Sequence, residues 1–330
     1  MTHNLDFLDR VSILIVGDVM LDRYLWGDIR RISPEAPVPI VEVHRETHTA
    51  GGAANVANNL AALGVRCELF GLVGNDTNGV ELQALLRQQK VTFDPRLACA
   101  KSPTITKTRI VAQRQQLCRF DQEAHPETYS IAESGLLGLL AEKAAKYDAV
   151  ILSDYAKGVI SQEVIDTLRQ VKAHRKLFLA LDPKPLRPLD ISGLDLLTPN
   201  YGEGIQLSGL SSFGSKSPSA EEIATAILNR HNPECLVMTM GEKGMLLRPR
   251  EGASRHFPTV VRQVADVSGA GDTVISTLTA AMAAGVPRED AVHIANIAAG
   301  IVVGKLGTAT ASRKELMQAF ENEKNEPSPT

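Results

Sequence analysis

Short, evenly apolar runs separated by longer amphipathic stretches set the rhythm of this chain. SILIVGD from Ser12, ELFGLVG from Glu68, AVILSDY from Ala149, LFLALDP from Leu177, LLTPN from Leu196 and CLVMTMG from Cys235 are too short for helices. They are also too uniformly apolar for strands with one wet face, so they predict buried parallel strands. Between them, residues 53–63, 133–146, 162–174 and 220–230 space their apolar positions as helices do. Strand and helix alternate, which predicts an α/β fold with a mostly parallel central sheet covered on both faces. The predicted strands finish on Asp18, Gly74, Asp154, Asp182, Asn200 and Gly241. Polar and glycine residues thus gather on one edge, the edge at which open α/β sheets take ligands.

Two segments keep a different period. VPIVEVHRE from Val38, and TITKTRIVA with QLCRFDQ between Thr104 and Gln122, alternate every second residue. They predict a small inserted β-sheet, a lid with strands at about 24–46 and 104–122, on a single domain spanning 1–330. The Ser/Gly/Pro-rich run 208–219 reads as a surface loop and residues 322–330 as a flexible tail.

Composition narrows the function. With 330 residues and 44% apolar content, the chain can bury a sizeable core. Its 35 basic and 38 acidic residues leave a net charge of −3, so there is no basic field to hold nucleic acid or an anionic membrane, and neither is expected as a partner. The least charged stretch, 273–287, is too short and polar to span a bilayer. Asp6 and Asp9 stand where an export signal needs a basic start and an apolar centre, so a cytoplasmic protein is expected. Cys67, Cys99, Cys118 and Cys235 lie far apart without a C-x-x-C pair and read as reduced, structural thiols.

The sequence has no P-loop, no G-x-G-x-x-G turn, no H-E-x-x-H and no G-x-S-x-G. His44 and His48 fall on a predicted strand, where a spacing of four does not make the helical metal pair. The sharpest segment is VADVSGAGDTVIS, residues 264–276. Gly269, Ala270 and Gly271 precede a helical run that starts near Asp272; small residues admit a ligand close to the backbone, and the first N–H groups of a helix stabilise anionic oxygens. Asp272 there either accepts a proton from an attacking hydroxyl or simply caps the helix, and spacing alone leaves both open. Lys107 and Arg109, two apart on a strand, share a face, with Arg119 on the next strand. Such a face either grips a phosphate or is merely solvated. Lys157, at the ligand edge, is a second phosphate candidate, and Lys184 after Asp182 can serve sugar or nucleotide.

DVSGAGD, residues 266–272, is similar to the D-T-x-G-A-G-D signature of the ribokinase-like (PfkB) carbohydrate kinases, and GGAANVANNLAALG, residues 51–64, resembles their N-terminal sugar-binding signature. Residues 17–22, NYGE from Asn200, TMGEKG from Thr239 and ANIAAG from Ala295 extend the resemblance over nearly the whole chain. It implies a three-layer αβα fold, ATP as phosphoryl donor with Mg2+, Asp272 as general base, and Gly269, Ala270 and Gly271 as the anion hole. It places Asp22, Gly51, Gly52 and Asn55 against sugar hydroxyls. Asn200 and Glu203 would organise the Mg-ATP phosphates, with Glu203 acting on Mg2+ through water, and Gly241, Gly244 and Asn296 would line the nucleotide pocket. Asp266 and Ser268 match positions that help hold a monovalent cation in some relatives, which brings in K+. Val267 stands where the family usually has Thr.

RISPEAPVPIVEV from Arg31, together with DVMLDRY, SPTITKTR, SDYAKG and LLTPN, looks closest to the members of the family that act on D-glycero-β-D-manno-heptose 7-phosphate in lipopolysaccharide synthesis. Those enzymes phosphorylate the anomeric hydroxyl to give the 1,7-bisphosphate. No H-x-G-H adenylyltransferase motif occurs in the sequence, so a separate adenylyltransferase is expected, as is a homodimer built on the lid. The alternatives are a kinase for another sugar, sugar phosphate or nucleoside on the same fold, and a non-catalytic sugar-binding regulator.

Overall fold

The computed structural model describes residues 5–99, 101–113, 115–210, 217–260, 265–305 and 307–325. The chain runs through β1 (Ser12–Gly17), two long strands β2 (Val19–Ile32) and β3 (Pro39–Gly52), α1 (Ala53–Ala62), β4 (Arg66–Phe70), β5 (Val73–Gly74), α2 (Thr77–Gln88), β6 (Thr92–Phe93) and β7 (Ala98–Cys99). There follow β8 (Ile105–Ala112), β9 (Gln115–Gln122), α3 (Leu137–Ala144), β10 (Ala149–Ser153), α4 (Gln162–His174), β11 (Phe178–Asp182), β12 (Leu196–Leu197), α5 (Tyr201–Ser208) and α6 (Ala220–His231). The last elements are β13 (Cys235–Thr239), β14 (Met245–Pro249), β15 (Arg255–Phe257), α7 (Ala270–Ala283), α8 (Arg288–Val303) and α9 (Arg313–Asn325).

The central sheet has the order β15-β14-β13-β12-β11-β10-β1-β4-β6. From β13 to β6 every neighbour is parallel, while β14 and β15 close one edge antiparallel. Both faces are covered, so β1 and β10 are buried at every position. Successive residues of β1 serve opposite cores: Ile13 and Ile15 pack with residues of α1, α7 and α8, whereas Leu14 and Val16 pack with residues of α3, α4 and α6. This is the three-layer αβα arrangement.

Several local expectations are corrected. ELFGLVG is not one strand: β4 ends at Phe70, and Val73–Gly74 joins β7 in a separate two-stranded sheet. The chain is held there by the segment entering β8, because Gly74 N–H donates to Thr104 Oγ1 at 3.0 Å and Asp76 accepts the Thr104 N–H at 2.8 Å. The helix expected at 133–146 begins only at Leu137, because residues 131–135 form a turn. The helical run expected near Asp272 starts at Ala270 as α7, and it is buried at every residue from 272 to 281 because it is wedged against α1, α8 and the sheet. α9 continues to Asn325, so residues 322–325 are helical; residues 326–330, positions 211–216 of the expected surface loop and Val264 lie outside the described residues.

The second sheet, order β3-β2-β8-β9, is the lid. β2 pairs antiparallel with β3 and parallel with β8, and β8 and β9 form a hairpin. Its first two strands are longer than expected because β2 starts two residues after β1 ends and β3 runs straight into α1. At that junction Gly52 has φ +58, and a Cβ there would lie 2.4 Å from the Asp18 carbonyl oxygen. Gly52→Ala is therefore expected to lower stability by about 1–3 kcal/mol, read as a reduced urea midpoint; an unchanged midpoint would show that the junction relaxes freely.

Candidate active site

α7 begins at a left-handed Gly269, φ +80, where a side chain would collide with the Asn55 amide at 2.8 Å. In its first turn Ala270 N–H faces the Val267 carbonyl at 3.3 Å, and the first i−4 bond is Thr273 N–H to Gly269 O at 3.1 Å. Helix geometry therefore leaves Gly271 and Asp272 N–H without intrahelical acceptors, and these are the two donors available to an anion. α1 fixes the position of this turn through a polar ladder in an otherwise apolar contact. Asn55 Nδ2 donates to Asp272 Oδ2 at 2.7 Å, Thr273 Oγ1 to Asn59 Oδ1 at 2.8 Å, and Ser276 Oγ to the Val56 carbonyl at 3.1 Å.

Asp272 is buried, and its second oxygen, Oδ1, accepts from the Tyr155 hydroxyl at 2.7 Å. Loss of solvent pushes its pKa up to about 6; the Tyr155 and Asn55 hydrogen bonds pull it down, and the charge of Asp22 raises it further. Asp182, at the end of β11, is pushed well above the usual carboxylate range by desolvation, then by the charges of Asp272 and Glu203. The site thus holds several carboxylates close together.

On the lid, the register sets Asp22 beside Lys107 and Lys107 beside Asp121, and in the next layer Tyr24 beside Arg109 and Arg109 beside Arg119. Period two puts both layers on one face. The expected phosphate-binding cations all lie on or next to this face, and each is already paired. Arg109 Nη1 donates to Asp22 Oδ1 at 2.5 Å and its guanidinium lies 5.2 Å from the Tyr24 ring centre. Lys107 Nζ is 2.8 Å and Arg119 Nε 2.9 Å from Asp121, and Lys157 Nζ is 2.6 Å from Glu123. Gly51 lies directly under the Asp22 carboxylate, where a Cβ would be 2.2 Å from Oδ2.

At the α7 N-terminus a cavity of about 490 Å³ is lined by Gly241, Gly244, Ala270, Gly271 and Asn296 among others, which brings together three of the expected nucleotide-side residues but not Asn200, Glu203 or Lys184, none of which lines it. Asn296 is tied to the wall by donating to the Pro258 carbonyl at 2.7 Å. Asn200 and Glu203 form a reciprocal capping box at the start of α5, and Lys184 Nζ binds Glu203 Oε1 at 3.0 Å. Both Glu203 oxygens therefore already have partners, a donor set that fits a hydrated magnesium brought in on phosphates rather than a directly held ion. Among the described residues no group of three or more His, Cys, Asp or Glu side chains is placed to hold a metal ion. Asp266 gives its oxygens to Ser268 N–H at 2.9 Å and Gly307 N–H at 3.1 Å, and these bonds outweigh desolvation to lower its pKa. His44 is exposed, and His48 sits between Glu46 and Glu81.

Three residues of the site escape the sequence reading. Tyr155 contacts Asp272, Asp182 faces it, and Asp18 holds the loop after β10 by accepting N–H groups of Tyr155, Lys157 and Val159 at 2.9–3.0 Å. Asp18 and Asp182 carried a signal in their place at strand ends. Tyr155 lay within the SDYAKG segment of the resemblance, but nothing local shows that its hydroxyl reaches α7.

The profile of the pfkB family carbohydrate kinase matches residues 11–315. The chain is similar to the bifunctional protein HldE of Koribacter versatilis, 43% identical over 312 residues covering 94% of this chain and 63% of that protein. It is also similar to the bifunctional protein HldE of Sulfurimonas denitrificans, 40% identical over 304 residues covering 92% of this chain and 63% of that protein. The chain therefore spans about 63% of the length of these curated relatives. Among solved structures, phosphofructokinase-2 from Escherichia coli in complex with potassium matches with a TM-score of 0.75 over 96% of this chain and 99% of that one at 18% identity. Arabidopsis thaliana ribokinase complexed with ribose and ATP matches with a TM-score of 0.71 over 94% of this chain and 99% of that one at 20% identity. At such identities the likeness establishes the fold, which is ribokinase-like.

The burial of Asp272 has a measurable signature. Its pKa rises from 3.8 to about 6 on folding, so the native state binds the proton more tightly and loses stability as pH climbs through that interval. Asn at this position removes the charge and keeps one acceptor oxygen, while its amide nitrogen, a donor, requires Tyr155 or Asn55 to turn and present an oxygen to it. Asp272→Asn is expected to gain about 2 kcal/mol relative to the parent between pH 4 and pH 8, so its Tm difference from the parent becomes more positive at the higher pH. The same difference at both pH values would mean that the carboxylate is not perturbed.

Proposed function

Because the chain belongs to the pfkB family of carbohydrate kinases, we propose that it transfers the γ-phosphoryl group of ATP to the anomeric hydroxyl of D-glycero-β-D-manno-heptose 7-phosphate, giving the 1,7-bisphosphate. The observation that carries this reading is the position of one buried, doubly hydrogen-bonded carboxylate, Asp272, on the first turn of α7 between the cavity and the lid face. ATP occupies the cavity, with Gly241, Gly244 and Asn296 on its wall and Lys184 near its phosphates. The sugar lies against Asp22, Gly51, Gly52 and Asn55. Asp272, with a pKa near the working pH, takes the proton of the attacking hydroxyl. The first-turn N–H groups of α7 receive the negative charge that develops on the transferring phosphoryl group. Magnesium bound with the nucleotide supplies further charge neutralisation, and Glu203 would hold it through water.

The heptose assignment rests on the resemblance of 31–43 and its companion segments, and on the HldE likeness. Lys107, Arg109, Arg119 and Lys157 supply the cations that a 7-phosphate needs. Each must exchange a carboxylate for the phosphate, so the net gain per residue is smaller than that of a free cation. The adenylyl transfer that would follow is assigned to a protein or domain outside residues 1–330. A homodimer across the lid is part of the reading, on the exposed Val38, Val43 and Phe120. Each Asp266 oxygen accepts one N–H group and keeps lone-pair capacity, so Asp266 with Ser268 would still offer oxygen to a K+ ion.

Phosphorus NMR of the product from ATP and the heptose 7-phosphate tests the reading directly: a new anomeric phosphate signal supports it, and turnover confined to other sugars moves the assignment to them. Asp272→Asn should lower kcat by about 10² to 10⁴ while both KM values hold; near-normal kcat would defeat the base. Replacing Lys107 and Arg109 together by Ala should raise the sugar-phosphate KM about tenfold or more and leave the ATP KM within about twofold. An unmoved sugar KM would take the lid cations out of the site.

A further inference from the structure

We propose that Tyr155 is a positioning residue for phosphoryl transfer, setting the orientation and basicity of Asp272 through its hydroxyl without touching the sugar. The inference rests on Asp272 being the base. Its warrant is the way the loop after β10 is built. Asp18 is fully buried at the end of β1, and its carboxylate accepts the N–H groups of Tyr155 at 2.9 Å and of Lys157 and Val159 at 3.0 Å. Asp154 accepts the Ala156 N–H at 2.8 Å and is itself held by Arg187 at 3.2 Å. Two carboxylates thus tie down four N–H groups in five residues. They hold Ala156 at φ +58, a conformation that a residue with a side chain keeps only when its surroundings impose it.

The outcome of this construction is one contact. The Tyr155 hydroxyl donates to Asp272 Oδ1 at 2.7 Å while Asn55, from α1, donates to Oδ2 at 2.7 Å. With a donor on each oxygen, rotation of the carboxylate is stopped, and an incoming hydroxyl must use a lone pair that these donors leave open. Desolvation and the charge of Asp272 keep the phenol pKa well above its ordinary value, so Tyr155 remains a donor throughout the working range. The charged and titratable groups facing Asp272 from the surrounding elements are Tyr155 itself, Asp22 with its partner Arg109, and Asp182 with Glu203 and Lys184 nearby. Among them Tyr155 alone donates a hydrogen bond to the carboxylate. Phenylalanine would fill the same space without donating.

The test compares the pH profile of kcat/KM for the sugar phosphate in the parent and in Tyr155→Phe. Substrate ionisations are common to both enzymes, so the difference reads the protein. Loss of a hydrogen bond to the ionised form should move the acidic limb upward by about one pH unit, with kcat down about tenfold and the ATP KM within about twofold. Site-specific 3-fluorotyrosine at position 155, a stronger donor, should move the limb the other way, and it carries the test alone if the Phe variant fails to fold. A limb that stays in place in the folded variants overturns the proposal, whatever happens to the rate. If Asp272→Asn is inactive and the limb is unmoved, only the role of Tyr155 falls. If Asp272→Asn retains kcat, the base assignment falls and the proposal with it.

Discussion

A carboxylate taken out of water must be given hydrogen bonds, and most of the site is the means by which this fold supplies them to Asp272. Its two oxygens draw one donor from α1 and one from the loop after β10. Those donors are useful only if they are immobile, so α1 is stitched to α7 by Asn59, Thr273 and Ser276, and the loop is hung from Asp18. The small residues Ala53, Ala57, Ala280 and Ala281, all fully buried, let the helices and sheet close around this contact without gaps. What results is a carboxylate whose affinity for a proton is raised by burial and lowered by two donors, the balance that the proposed role as base requires.

The lid applies a different economy of charge. None of the cations that a phosphosugar would meet stands free; Arg109, Lys107, Arg119 and Lys157 each face a carboxylate. Such a surface holds its shape without ligand and gives little to a neutral sugar, because the existing ion pairs already satisfy the guanidinium and ammonium groups. A phosphate dianion competes with them better than a hydroxyl does. Under the proposed function, discrimination would come from exchange of partners rather than from simple attraction.

The sequence made the architecture legible wherever a local pattern had only one structural solution. The apolar runs of β1, β10 and β11 lie in the parallel sheet, α4 covers residues 162–174 as predicted, and the lid strands keep their period of two. Legibility failed where long-range contacts decide. ELFGLVG reads as one strand, but Thr104 and Asp76 hold its second half elsewhere. The antiparallel edge of β14 and β15 had no pattern long enough to announce it. In the site, the glycine turn and Asp272 carried their own signature, and a spacing of two rightly put Lys107 and Arg109 on one face. That each cation has an acidic partner, and that Tyr155 meets Asp272 across 117 positions of sequence, depends on tertiary placement that no local period encodes.

The way the lid is threaded bears on how such an enzyme changes its substrate. Both of its longer strands are continuous with the core: β2 leaves β1 at Asp18, and β3 enters α1 at Gly52, whose neighbours reach into the site. The remaining two strands are inserted some fifty residues later, after β7. No single linker exists at which this lid can be cut out and replaced by another. Its junctions with β1 and α1 pass through Asp18 and Gly52, which also shape the end of the sheet that carries the candidate site. A point change along a strand face alters one side chain's contacts and leaves this weave intact, whereas exchange of the whole sheet would have to break the chain on both sides of each hairpin.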